Sequence, residues 1–305
     1  MPRWQTRNLP QCSTRGIDNT KSTLDLLRIY AVDHVGSPRL NAEAAKVVAS
    51  LRDFCAAKGL FTLPAALPCT VATTPAFQRP LRRAGLVAPG PWESERRASD
   101  YVLRLSPPEP GWDALKQEDY LRGFNRFALP FLAMRESFPG RLAVALLGDS
   151  PAARANAALA PPSAVEGWAL YVQRLLIDQG YGGGDAKFRL FQIRAALLET
   201  CRFLAALRLH TAGMTREQAV AFFVKDGLQD PMVAEQEALA ATLGIDGMAP
   251  LIGRLHLQKL AADYRRAKGD AFSLKNFHDA LLSVGPLPIR QARQALLPGD
   301  KAVSL

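Results

Sequence analysis

The sequence predicts a mainly α protein, a single helical domain with a small extended or β region near residues 60–105. One helical pattern runs over residues 185–213, and a helix of that length spans about 40 Å, more than the width of a small domain. Thr215 and Ser273 are capping residues that precede further helical patterns. Between residues 60 and 91 recurring prolines exclude a long helix, so this region must take another form.

The first half of the chain mixes helical and extended patterns. A short helix is predicted within residues 22–35, and Asn41 has the residue type that caps the helix after it. Residues 69–74 and 100–105, CTVATT and DYVLRL, have the β-branched or alternating composition of two paired strands. Helical periodicity returns over residues 112–134, with a predicted break at Pro130.

The second half is more regular. The Ala- and Pro-rich residues 149–163 favour a loop or short turns. Ser163 and Glu166 then have the spacing of a capping box, which predicts that a helix begins there and assigns Glu166 a structural role. A further helix is predicted over residues 231–242, and another near Pro250, a residue suited to a helix start.

Composition limits the class of protein. The chain has 305 residues with 48% hydrophobic and 22% charged, and a net charge of +10. This charge permits anionic partners, but aromatic residues do not interleave with the basic ones, so we expect no nucleic acid. Four cysteines form no CxxC pair, which indicates free thiols in a reducing compartment.

Localisation and domain organisation follow from the same survey. No apolar run reaches membrane-spanning length, and the N-terminal residues lack the apolar region of a signal peptide. We therefore expect a cytoplasmic protein without a membrane partner. Residues 1–20 are predicted to form a flexible tail, and residues 21–305 a helical domain.

A polar line on the central helix is the first candidate for a functional site. Gln192, Glu199, Arg202 and His210 recur at helical spacing on a helix that is apolar on most other sides. Buried charges need partners, so this line should face a cavity, a ligand or complementary charges. The structural alternative is an ion-pair ladder in which Glu199 and Arg202 pair one turn apart.

Common catalytic and metal-binding motifs are absent from the sequence. It contains no HExxH, no GxSxG and no Walker motif. None of the four histidines stands three to five residues from another, which removes the spacing of metal ligands on one helix. His278 is predicted to be a packed histidine with a hydrogen bond, and His256 a surface or boundary residue.

Several segments carry a resemblance to a known family. They are FTLPAALPCTVATTPAFQRP, RESFPGR, VEGWALYVQRLLIDQGY, LLETCRFLAALRLHTAGMTREQAVAFF and FSLKNFHDALLSVGPLPI. Together they resemble the later half of a large bacterial family, domain of unknown function 885, over most of residues 40–297. The resemblance implies an all-helical fold similar to gluzincin-type zinc peptidases, in proteins usually about twice this length.

The family's site residues are altered in this chain. The resemblance implies catalytic roles for Glu136, Glu166, Arg202 and His210. Arg135 and Arg141, however, stand where the family's His-Glu-x-x-Pro-Gly-His motif has histidines. A guanidinium stays protonated and has no lone pair for a metal. A second change is glutamine for glutamate one turn after the EGWA segment, at Gln173 in LYVQR.

These changes lead to two functional hypotheses. In the first, the chain is a degenerate metallopeptidase-like protein without catalytic zinc or other cofactor, in which Arg135, Arg141 and Arg202 form a positive cavity for a carboxylate-bearing ligand or peptide. A protein partner or a second copy would cover the face of the missing half. In the second, it is an active hydrolase or lyase, with Glu136 or Glu166 as base and His210 as acid.

Overall fold

The protein is mainly α, as the sequence predicts, and carries one small sheet. The expected tail, residues 1–20, lies outside the described residues except for its last residue. The computed structural model describes residues 20–63, 68–79, 83–93, 100–148 and 150–299.

The sheet forms where prolines prevent a long helix. Strands β1 (Cys69–Thr73) and β3 (Tyr101–Leu105) are parallel, which confirms the predicted pair. A third strand, β2 (Ala84–Val87), pairs antiparallel with β3 and was not predicted, because its four residues carry little β-branched signal. In the central strand Tyr101 and alternate residues after it are buried, so one face of the sheet joins the main core.

The helices occupy the remainder of the fold, with short connections between them. In chain order they are α1 (Thr23–Ala31), α2 (Leu40–Ala57), α3 (Ala114–Leu121), α4 (Ala128–Glu136), α5 (Arg141–Leu147), α6 (Pro151–Ala158), α7 (Pro162–Asp178), α8 (Ala186–Thr211), α9 (Arg216–Lys225), α10 (Pro231–Leu243), α11 (Ala249–Lys268), α12 (Leu274–Ser283) and α13 (Ile289–Leu296).

The helix caps partly follow the sequence signals. Thr215 and Gln218 form the predicted capping box of α9, and the Ser273 side chain accepts a hydrogen bond from Asn276 N at the start of α12. The prediction for Asn41 is wrong. Helix α2 begins at Leu40, so Asn41 lies within the helix and does not cap it. The Asn41 amide instead donates to Thr73 Oγ1 at 2.9 Å. A residue type that suits a cap serves here to join a helix to the sheet.

Two predictions around residue 163 are also wrong. Residues 149–163 contain helix α6, which Ser150 caps, so alanine-rich sequence outweighs the flanking prolines. Helix α7 begins at Pro162, and its start has no side-chain cap. Glu166 is therefore free of the capping role, and its carboxylate faces other helices.

Helix α8 contacts two separate parts of the core. Phe191, near its start, packs in the main core cluster with the sheet and most helices. Cys201 and Ala205, further along, pack in a smaller cluster with Phe223 of α9 and Ala234 of α10. Because opposite ends of the helix bury different faces, its sequence shows no single apolar stripe.

Helices α7 and α11 pack with their backbones close together. A Cβ atom on Gly253 would lie 1.8 Å from Ser163 O, and one on Gly167 would lie 2.5 Å from the Gly253 Cα. Only glycine allows this approach. This contact fixes the position of α7 relative to α11. It thereby also fixes the position of Glu166, which precedes Gly167 in the chain.

Candidate functional site

The turn between α4 and α5 brings two arginines together. Arg135 lies in the last turn of α4, and Arg141 is the first residue of α5. Gly140 makes the tight turn possible, because a Cβ there would lie 2.3 Å from the carbonyl oxygens of Met134 and Arg135. Trp168 of α7 holds the turn from the other side, donating from Nε1 to Pro139 O at 2.8 Å.

Both arginines bind the same two carboxylates. Arg135 Nη2 donates to Glu166 Oε2 at 3.0 Å, and Arg141 Nη2 donates to Glu166 Oε1. Arg141 Nη1 lies 2.9 Å from Glu136 Oε2, and Arg135 Nε lies 3.6 Å from Glu136 Oε1. Glu166 is thus held by a separate guanidinium at each of its oxygens.

The polar line of α8 continues this network. Glu199 Oε1 accepts from Arg135 Nη1 and from Arg202 Nη1. Arg202 also binds Glu237 of α10 through two hydrogen bonds, of 2.7 Å and 2.5 Å. The ion-pair alternative for Glu199 and Arg202 is confirmed, and the pair joins a network across α4, α5, α7, α8 and α10.

The network is largely buried and close to neutral. Three guanidinium groups meet four carboxylates, which leaves one net negative charge. Burial by itself raises the pKa of Glu199, but Arg202 and Arg135 outweigh it and hold that pKa below its ordinary value. The side chains of Arg141 and Arg202 remain 26% and 28% exposed, so the network reaches solvent at these two residues.

The residues of the network do not fit a catalytic metal. Zinc needs about three ligand atoms with free lone pairs and an open position. Here guanidinium groups lie between Glu136, Glu166 and Glu199, where a cation would have to sit. Throughout the described ranges, no group of three or more His, Cys, Asp or Glu side chains is arranged to hold a metal ion.

The other predicted site residues lie elsewhere. The His210 ring bonds through Nε2 to Ala241 O at 3.1 Å, two turns along α8 from Arg202, so it does not meet Glu136 or Glu166. Gln173 donates to Phe131 O at 2.6 Å and stabilises the contact between α7 and α4. His278 is a packed histidine, as predicted: Tyr171 and the Leu60 carbonyl bind its ring, and burial lowers its pKa to about 4.

Two residues near the network were not identified from the sequence. Glu237 gives no signal, because the sequence does not distinguish it from Glu235, an exposed acidic residue of the same helix. Arg254 follows Gly253 on α11, where its backbone N packs against Gly167. Its guanidinium donates to Gln258 at 3.1 Å, and no carboxylate in the described part of the chain pairs with it. Burial and nearby Arg174 lower the pKa of Arg254, and Glu199 raises it.

The chain is thus a mainly α protein that holds a buried arginine–glutamate network between its helices. Comparison of the sequence with known families identifies the group. Residues 21–296 match the family described as "Bacterial protein of unknown function (DUF885)", and the chain belongs to that family. The match covers most of the chain, so it is not confined to its C-terminal half. No curated protein matches the chain.

Two solved structures share the fold. A "putative lipoprotein of unknown function" from Shewanella oneidensis is 26% identical over 90% of this chain, with a TM-score of 0.80. A "putative lipoprotein" from Colwellia psychrerythraea is 19% identical over 85% of it, with a TM-score of 0.72. This chain covers 48% and 42% of their respective lengths, so it spans about half of either relative.

Within the part of the chain that the structure describes, no single helix is long and apolar enough to cross a membrane. One bent pair of helices, Pro231–Leu243 with residues 246–271, passes by length and composition, with an angle of 112° between its parts.

Proposed function

We propose that this chain is a catalytically silent, metallopeptidase-like protein that holds no catalytic zinc and acts by binding. The supporting observation is that Arg135 and Arg141 stand between Glu136 and Glu166 and pair with both carboxylates. A permanently charged guanidinium supplies no lone pair to a metal and repels a dication beside it. The likeness to zinc peptidases is part of this proposal.

Zinc content tests the proposal directly. The purified chain is expected to contain no stoichiometric zinc and to leave short peptides uncleaved. Replacing both arginines, Arg135→His with Arg141→His, is expected to restore some zinc affinity, while either change alone does little, because one guanidinium still occupies the space. Metal analysis after dialysis against zinc gives the answer.

The matched control is Arg174→His with Arg189→His, two arginines that pair with exposed Asp178 away from the network. That variant should bind no more zinc than the unmodified protein. Stoichiometric zinc held by Glu136 or Glu166 in the unmodified chain would overturn the proposal.

The ligand in this proposal carries a carboxylate, but the arginines of the network do not bind it. Arg135, Arg141 and Arg202 are already paired with glutamates, so they do not form an open positive cavity. The proposal assigns the ligand's carboxylate to Arg254, half-buried and without a carboxylate partner among the described residues. A carboxylate beside this cation would offset the unfavourable effect of burial and of Arg174.

Peptides that differ only at the C-terminus test this assignment. A peptide with a free C-terminal carboxylate should bind more tightly than its amidated form, because the amide has no charge to pair with Arg254. The Arg254→Met variant should bind the two peptides equally, because it lacks the guanidinium. Titration calorimetry measures both. Arg216→Met, which changes an exposed arginine on α9, is the control and should preserve the difference. Equal affinity of acid and amide for the unmodified chain would contradict the assignment.

A partner is also part of the proposal. We propose that a second copy or a protein partner covers the apolar side chains exposed around the end of α10. Leu239, Leu243 and Ile245 there are 48%, 82% and 60% exposed. Apolar patches of a few hundred Å² commonly mark interfaces. The expectation that the chain corresponds to the later half of longer relatives stays a prediction.

The descriptions of the solved relatives bear on the cellular location of this chain. The cytoplasmic expectation rests on sequence alone, and both solved relatives are described as "putative" lipoproteins. Location outside the cytoplasm is therefore part of the proposal, and cell fractionation with an antibody to the chain tests it.

A further inference from the structure

A pocket on the far side of α7 is separate from the arginine–glutamate network. It lies between α5, α7, α11, α12 and α13, with Ser163, Trp168, His256, Leu281, Ile289 and Ala292 among its lining residues. On α7, residues 163, 164 and 168 line the pocket, while Glu166 faces the arginines. One helix therefore separates the two sites.

The lining of the pocket is apolar and uncharged. Its residues are mostly Ala, Val, Leu, Ile, Pro and Gly, and none is Asp, Glu, Lys or Arg. A charged group placed there would lose its hydration without gaining a counterion. The pocket therefore selects against ions.

Two polar side chains line the pocket. Neither the Ser163 hydroxyl nor the His256 ring hydrogen-bonds to another residue of the described chain, so both can bond a ligand. Burial lowers the pKa of His256, which keeps its ring neutral near pH 7, with one donor and one acceptor nitrogen. The Trp168 Nε1, by contrast, is used by Pro139 O.

The dimensions of the pocket limit the ligand. Its cavity volume is ≈ 40 Å³, and each water-sized group needs about 10–15 Å³. The pocket therefore has room for roughly three such groups. An isopropyl group fills this volume, and a longer body extends toward solvent.

We propose that this pocket binds a small uncharged molecule with a branched aliphatic end and one hydroxyl or carbonyl group. The aliphatic end packs against Leu281, Ile289 and Ala292, and the oxygen bonds to His256 or Ser163. The site is separate from the one proposed for the carboxylate ligand, because Arg254 does not line the pocket.

Three isosteric probes test the proposal: 3-methyl-1-butanol, 3-methylbutanoate and 3-methylbutylammonium. An amide NMR titration of the full chain should show saturable shifts with the alcohol, confined to residues 285–287 and to the parts of α5, α7, α11, α12 and α13 that line the pocket. The acid and the amine, which bring a charge, should bind at least tenfold more weakly.

Variants then locate the site. Ala292→Leu fills the pocket and should weaken alcohol binding more than tenfold, whereas Ala240→Leu, on the exposed side of α10, should leave it unchanged. His256→Leu should weaken it about fivefold, the effect of one lost hydrogen bond of about 1 kcal/mol. If Ala292→Leu does not fold, Ala164→Val gives the same comparison. Three results would overturn the proposal. They are chemical shift changes that do not saturate, equal affinity for the acid and the alcohol, and unchanged alcohol binding in a folded Ala292→Leu or Ala164→Val variant.

Discussion

At the scale of the residue, Arg135 has more carboxylate partners than the other arginines of the network. Its guanidinium bonds to Glu166 and Glu199 and lies 3.6 Å from Glu136, while its side chain is 18% exposed. A buried ion pair adds little net stability over apolar residues, but removal of one partner leaves an uncompensated charge. Arg135 is thus the residue on which the other charges depend.

Arg135→Met is expected to lower the free energy of unfolding by about 3–5 kcal/mol, because the four carboxylates of the network are then left with two guanidinium groups. Urea unfolding at pH 7 measures this. Arg202→Ala should cost less, since Arg202 pairs with two carboxylates, against three for Arg135, and its side chain is 28% exposed. Arg174→Met is the control, because its pair with Asp178 is exposed and worth about 1 kcal/mol or less. Similar losses in Arg135→Met and Arg174→Met would contradict the importance of the buried network.

At the scale of the element, the contact of α7 with α11 decides where the site residues stand. Gly253 has no room for a side chain, since its Cβ would lie 1.8 Å from the Ser163 carbonyl oxygen. The same glycine lines the apolar pocket and precedes Arg254. One close approach therefore positions the network, the pocket and the proposed anion site.

Gly253→Ala tests the contact of the two helices. In an exposed helix this change stabilises by up to about 1 kcal/mol, because alanine is the better helix former. Here it is expected to destabilise by about 1–3 kcal/mol or more, since α7 and α11 must separate. Thermal and urea unfolding give the sign. Gly111→Ala is the control, as no atom lies within 4 Å of its added Cβ, and it should be near neutral. A stabilised Gly253→Ala would show that the helices separate freely.

At the scale of the whole molecule, the exposed apolar end of α10 raises the question of assembly. Light scattering of the purified chain after size exclusion is expected to show a dimer formed through this surface. Leu239→Lys with Leu243→Lys should give a folded monomer, because charges at an apolar interface oppose burial. Leu159→Lys, an exposed leucine on another helix end, is the control. A monodisperse unmodified monomer would count against the interface.

The family assignment is also a property of the whole chain. The matched region, residues 21–296, takes in the network, the pocket and all of the helices from α1 to α13. The relatives' descriptions give no activity, so the proposed binding role rests on this chain's own residues.

The sequence alone determined the helical class, the long helix α8, the β1–β3 pair and the two arginines on either side of Pro139 and Gly140. These depend on local periodicity, caps and residue chemistry, which a linear pattern carries. It also offered the pairing of Glu199 with Arg202 as one of two interpretations of the polar line, because buried charges need partners. Only the tertiary structure decided that Glu237 completes the network and that His210 lies away from Glu136 and Glu166. It also decided that Arg254 lies near the network. Those facts depend on how α7, α8, α10 and α11 pack against one another. This packing brings together residues that are distant in the chain, as Gly167 of α7 and Gly253 of α11 show.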